Sequence, residues 1–266
     1  MILEIFYLSM LLGIVSGVLA GLFGLGGGVI IVPALVWLFS YQQFPHEYMM
    51  IMAVATSLAT IVPTSIAALL AHHSFGTILW ARVYRLTPGI LLGAGGGALV
   101  ADLIDAGALK GLFIGYLFYV GIRMAMQAQA VCSDKRLKAN KRLDYIAGLG
   151  IGGLSSLLGI GGGTLTVPYL LSRHLPMKNA VAVSSVCGLP IALSATFVYV
   201  FLGENQLHLP VWSFGYVYLP AFSGIAVCSV LTAPLGAAMA NKLPAKKLKR
   251  YFSLVILLIA IKMITI

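Results

Sequence analysis

Apolar residues fill this chain in long stretches, broken by brief polar turns. The first stretch runs from Ile5 to Phe23, and a glycine-rich break then leads to a shorter piece from Val29 to Phe39. Met49 to Ala71, Val83 to Leu103 and Ala108 to Gln127 follow. After a basic segment the order repeats: Tyr145 to Leu158, a second break, Leu165 to Leu171, Ala180 to Leu202, Phe214 to Ala240 and Leu248 to Ile266. A helix needs ~20 apolar residues to cross a bilayer, and most of these runs reach that length. They lack the ~10-residue alternation of a membrane barrel. The pattern predicts an all-α, polytopic membrane protein of about eight to ten helical segments, with half-helices beside each break.

The breaks carry the most informative phrase in the sequence. Gly24-Leu25-Gly26-Gly27-Gly28-Val29-Ile30-Ile31-Val32-Pro33 returns in the second half as Gly159-Ile160-Gly161-Gly162-Gly163-Thr164-Leu165-Thr166-Val167-Pro168. Glycine weakens a helix by roughly 1 kcal/mol per residue relative to alanine. Backbone freed in this way is tolerated at membrane depth only where protein buries it or a cavity receives it. Paired interruptions in corresponding halves point to a transporter's substrate site. The repeat extends further: Ala53-Val54-Ala55-Thr56-Ser57 matches Ala180-Val181-Ala182-Val183-Ser184, Pro63 falls opposite Pro190, and Arg123-Met124 matches Lys262-Met263. Residues 1–131 and 145–266 are therefore read as two copies of one unit, a broken hairpin plus three spans, joined by a cytoplasmic linker at 132–144.

Composition agrees with this class. The 266 residues are 60% hydrophobic and 9% charged, where a soluble domain carries about 25% charge. The net charge of +10 does not indicate nucleic acid, because the basic residues occupy short connections and act as topology signals. Basic clusters lie at Lys135 to Arg142, Lys242 to Arg250, Arg82 with Arg85, and Arg173 with Lys178. The connections Tyr41–Tyr48, Asp102–Lys110 and Gly203–Ser213 hold acids and almost no bases. Placing the basic set in the cytoplasm leaves the other three outside. A hairpin that enters and leaves on one side gives each unit an odd number of crossings. The two units are then inverted repeats, with both termini external. Glu4 and the lack of a basic leading region predict a first helix that is retained rather than a cleaved signal.

Half-helix N-termini present unpaired N–H groups and partial positive charge, so an anion is their natural ligand. The candidate donors are the amides of Gly26, Gly27 and Gly28 and of Gly161, Gly162 and Gly163, with hydroxyls from Thr164, Thr166, Ser57 and Ser184. The competing interpretation is close helix packing through glycine, which is assigned to Gly95-Gly96-Gly97. Intrahelical bonding is the competing role for Thr56, Ser57, Thr60, Ser184 and Ser185. Pro33 and Pro168 are expected near helix starts, where a missing N–H is harmless. Arg123 and Lys262 are read as snorkelling residues, with an anion gate as the alternative. The five histidines are expected at interfaces. Cys132, Cys187 and Cys228 have no metal spacing and are read as packing residues. No acid falls within a span, so a carboxylate relay is not expected, and the membrane potential is the predicted drive for an anion. Neither metal nor cofactor is expected. The expected partners are a small anion and membrane lipid, with a homodimer left open.

The doubled glycine phrase, the Ala-Val-Ala-x-Ser segments and the basic middle loop resemble the TauE/SafE sulfite-exporter family over essentially the whole chain. The resemblance implies a multi-pass inner-membrane permease exporting sulfite, organosulfonates or related sulfur anions, and not an enzyme. The expected mechanism is alternating access around the two breaks. An anion channel of the same architecture is the first alternative. A membrane-embedded enzyme is the second, and no acid–base pair or metal cluster supports it.

Overall fold

A computed structural model describes residues 2–23, 27–126, 141–204, 206, 209–242 and 245–265. Among the described residues ten helices follow in order: α1 Ile2–Phe23, α2 Gly28–Tyr41, α3 His46–Ser74, α4 Trp80–Leu103, α5 Ala106–Met126, α6 Lys141–Leu158, α7 Gly163–Ser172, α8 Met177–Gly203, α9 Leu219–Lys242 and α10 Ala245–Thr265. Of these, α1, α3, α4, α8 and α9 are long and apolar enough to cross a membrane. The protein is a polytopic all-α membrane protein. One small antiparallel hairpin, β1 Ser213–Phe214 and β2 Val217–Tyr218, interrupts the helices.

The breaks form as the glycines dictate. Gly27 (φ 77°) and Gly162 (φ 74°) adopt nearly the same left-handed conformation and cap α2 and α7. That conformation is unfavourable for side chains with a Cβ. The turns after the two short helices also match. The amide of Phe44 returns to the Phe39 carbonyl, and that of Leu175 returns to Leu170, each at 3.1 Å. Gln43 and His174 occupy the left-handed position in the two turns. This is the Schellman stop. Pro45 and Pro176 then start α3 and α8.

Contacts exchange between the halves. α1 lies along α9, and its counterpart α6 lies along α4; α3 packs on α8 and α5 on α10. Glycine permits the closest approaches. A methyl group on Gly17 would stand 2.7 Å from the Ser229 carbonyl oxygen, and one on Gly93 would stand 2.1 Å from that of Leu149. Small residues are the usual means of joining helices in lipid. Of the triplet assigned to packing, Gly97 does approach Gly153, whereas Gly96 faces open space.

α3 and α8 form the buried centre. Met52 to Leu58 of α3 and Ala182 to Ser184 of α8 have essentially no exposure. The helix directions sort the ends of the molecule. The starts of α3 and α5 and the ends of α2, α4 and α8 lie at one end, and the starts of α4, α6 and α8 and the end of α7 lie at the other.

Candidate functional site

The two breaks meet at the centre of the molecule. A side chain on Gly28 would stand 2.2 Å from the Gly159 carbonyl oxygen, and one on Gly159 would stand 2.9 Å from Cα of Val54 on α3. The Ser57 hydroxyl donates to the Gly159 carbonyl at 2.8 Å and so ties α3 to the second break. Close packing of these glycines is what brings the breaks together. On the other side, a side chain on Gly188 would stand 3.2 Å from the Gly161 carbonyl oxygen and 2.9 Å from Ser65 Oγ. A narrow cleft of about 10 Å³, room for one water, lies there among Ala20, Thr64, Ser65, Gly161, Ser185 and Gly188.

The Gly162 amide, a candidate donor, is engaged: it donates to the Ile160 carbonyl at 2.8 Å, and the amides that begin the two short helices are the ones left over. Gly27's carbonyl accepts from Ile30 and Ile31, and Gly162's carbonyl accepts from Leu165 and Thr166. Among the described residues, no backbone partner exists for the amides of Gly28, Val29, Gly163 or Thr164. These are the orphan donors of a helix start. Gly26 lies outside the described residues. Pro33 and Pro168 depart from expectation: each is the sixth residue of its helix, not part of the first turn. Each therefore removes the bond that the carbonyl four residues back, Val29 or Thr164, would otherwise receive.

The expected hydroxyls do not all converge. Thr166 is fully buried, and its Oγ1 has no partner. Thr164 instead turns its hydroxyl to that of Tyr116 on α5. Ser184 is fully buried on α8. Thr60 and Ser185 bond within their own helices, to the carbonyls of Ser57 and Val181. Thr56 accepts the Tyr218 amide at 3.0 Å and anchors the β-hairpin to α3.

The acidic connections meet at one rim. A cavity of about 950 Å³ opens there, lined among others by Glu47, Asp102, Asp105, Lys110, Tyr48 and Tyr216. Tyr216 donates to Asp102 at 2.8 Å, and burial together with that carboxylate pushes its phenol pKa above the ordinary value. The phenol therefore stays protonated and remains a donor at physiological pH. At the opposite end Asp144 is fully buried. It receives Arg82 at 3.1 Å and the Tyr169 hydroxyl at 2.6 Å, so α4, α6 and α7 share one charged knot.

Lys262 lines a cavity of about 220 Å³ beside Ile30 and Pro33 of α2. Arg123 sits against Tyr119 with a hydrogen bond at 2.5 Å, and Lys262 lies over Trp37 at 5.5 Å from the ring centre. His73 is exposed beside Trp80. His72, expected at an interface, is instead buried at 2% exposure, because the last turn of α3 tucks its ring beside the Gly21 backbone. Cys187 and Cys228 are buried free thiols, as packing residues would be, while Cys132 lies outside the described residues.

Comparison with known proteins decides the family. The model of the family described as sulfite exporter TauE/SafE matches residues 9–263. The chain belongs to the TauE/SafE family. This TauE/SafE protein is 37% identical over 260 residues to a probable membrane transporter protein of Haemophilus influenzae, covering 96% of this chain and 97% of the relative. A second probable membrane transporter protein, from Methanocaldococcus jannaschii, is 30% identical over 247 residues, 91% of this chain and 89% of the relative. A third, from Bacillus subtilis, is 26% identical over 279 residues, 97% of each. The family match spans both glycine breaks.

Sequence reasoning missed three features of this TauE/SafE protein, and the first of them lies at the breaks. Ser155, on α6, points an unpartnered and buried hydroxyl at the second break. The knot of Arg82, Asp144 and Tyr169 joins residues far apart in the chain and leaves no local mark. The β-hairpin has two-residue strands, too short for a readable alternation; Gly215 at its turn (φ 55°) was the one available signal.

Proposed function

We propose that this TauE/SafE protein is a secondary transporter that exports a small anion, sulfite or an organosulfonate, by alternating access around the two glycine breaks. One observation carries this reading: the two glycine breaks meet at the buried centre through Gly28 and Gly159, and the amides that begin α2 and α7 have no backbone partner among the described residues. Free amides at a helix start stabilise negative charge. Gly161, Gly162 and Gly163 form the backbone of the site, Gly27 and Gly28 pack the junction from the first break, and Ser57 and Ser184 lie on the central helices α3 and α8. The names of the relatives support transport rather than catalysis.

Export is supported by the distribution of charge. The rim with three carboxylates and one ammonium belongs to the connections that lack positive loops, which face outward by the positive-inside rule. A net negative mouth repels an anion that would return. The inward negative potential acts in the same direction, at ~2.3 kcal/mol per charge per 100 mV. The exchange of helix partners between halves and the opposite headings of α2 and α7 support an inverted relation of the repeats. A carrier is favoured over a channel because the cleft beside the breaks admits only one water.

A thermal-shift screen of the purified protein with sulfite, sulfate, thiosulfate, sulfoacetate and taurine tests the substrate class. A ligand that binds only the folded state raises the melting temperature. The expected result is a concentration-dependent rise for at least one sulfur anion. No shift with any of them rejects that class.

A further inference from the structure

The two breaks are alike in backbone but not in side chains. At the second, a methyl group placed on Gly162 would stand 3.5 Å from Ser155 Oγ and 3.5 Å from Thr166 Oγ1. Both hydroxyls belong to residues exposed by 1% or less, and neither has a partner among the described residues. A buried hydroxyl left unpaired is unfavourable, so native proteins seldom keep even one, and two aimed at one point call for a ligand. The free amides of Gly163 and Thr164 belong to the same turn. At the first break the corresponding positions are Ala20 and Ile31, which bring no hydroxyl.

We infer that the molecule holds a single oxyanion site, at the second break, in which Ser155 and Thr166 are the side-chain ligands and the Gly163 and Thr164 amides complete the donor set. This deepens, and rests on, the transport reading above. The polar side-chain atoms nearest Gly162 are the two neutral hydroxyls. Such a set recognises an oxyanion with two or more accepting oxygens, one for the amides and one for the hydroxyl pair. The Thr164 hydroxyl is already engaged by Tyr116 and is not a ligand. Ile191, beside Pro190 on α8, closes the site: its Cδ1 lies 2.3 Å from the same methyl position on Gly162, so the anion enters when that side chain rotates away.

The test compares purified wild type with Ser155→Ala and Thr166→Val, using sulfite and sulfate as probes. Two readouts are needed, the melting temperature without anion and the affinity by calorimetry. Removing an unpaired buried hydroxyl does not weaken the empty protein, so both variants should melt at or above the wild-type temperature. Affinity for the bound probe should fall about tenfold or more in each, and Thr166→Ser should restore it. Ile31→Val at the first break should leave affinity unchanged. Wild-type affinity in both hydroxyl variants overturns the assignment and leaves the hydroxyls to buried water, while the transport reading stands. No binding of either probe by wild type overturns this site and, with it, the anion reading.

Discussion

Gly28 and Gly96 show how differently one residue type acts at two positions. A methyl group on Gly28 meets backbone, the Gly159 carbonyl oxygen, at 2.2 Å, whereas one on Gly96 meets nothing within 4 Å. Gly96→Ala should stabilise the protein by about 0.5–1 kcal/mol through lost chain entropy and better helix propensity. Gly28→Ala should instead lower the melting temperature and force the breaks apart. Paired thermal melts in detergent check both signs, and equal shifts would contradict the contact at the centre. The chain announces Gly27 and Gly162 because their phrase is doubled. It does not announce Ser155, which lies in an ordinary Gly-Gly-Leu-Ser-Ser run with Ala20 as its counterpart. Only folding brings that hydroxyl to the break.

Helices and turns were legible where physics is local. Apolar length marked the spans, and glycine marked the stops. Pro33 and Pro168 were misplaced because the break starts each helix at its last glycine, which leaves the proline beyond the first turn. Contacts between distant elements could not be read from pattern at all. The knot of Arg82, Asp144 and Tyr169 is the main case, since it fastens α7 to α4 and α6. Asp144 is nearly inaccessible in this ion pair and Arg82 is largely covered. Removing one partner of a buried pair costs about 3–5 kcal/mol, because the other charge is left uncompensated. Asp144→Asn should therefore reduce stability by about 3 kcal/mol, whereas Arg85→Gln, a change to a basic residue outside the knot, should have a small effect. Denaturant or thermal unfolding of the two variants distinguishes them, and a neutral Asp144→Asn would show that the knot contributes little.

At the scale of the molecule, the apolar runs foretold a polytopic all-α membrane fold, and the family match covers nearly all of it. The meeting of the two breaks lay beyond the sequence, because it depends on α3 and α8 packing at the centre. In the proposed mechanism this junction carries the anion. The direct measurement is sulfite efflux from proteoliposomes holding equal amounts of wild type or Gly162→Val. Valine at φ 74° is strained, and its side chain would occupy the space before Ser155, Thr166 and Ile191. Wild type should show saturable efflux that quickens when the interior is made negative, and Gly162→Val, inserted normally, should show at least a hundredfold less, about 2.7 kcal/mol. Equal efflux from the two proteins would contradict the account.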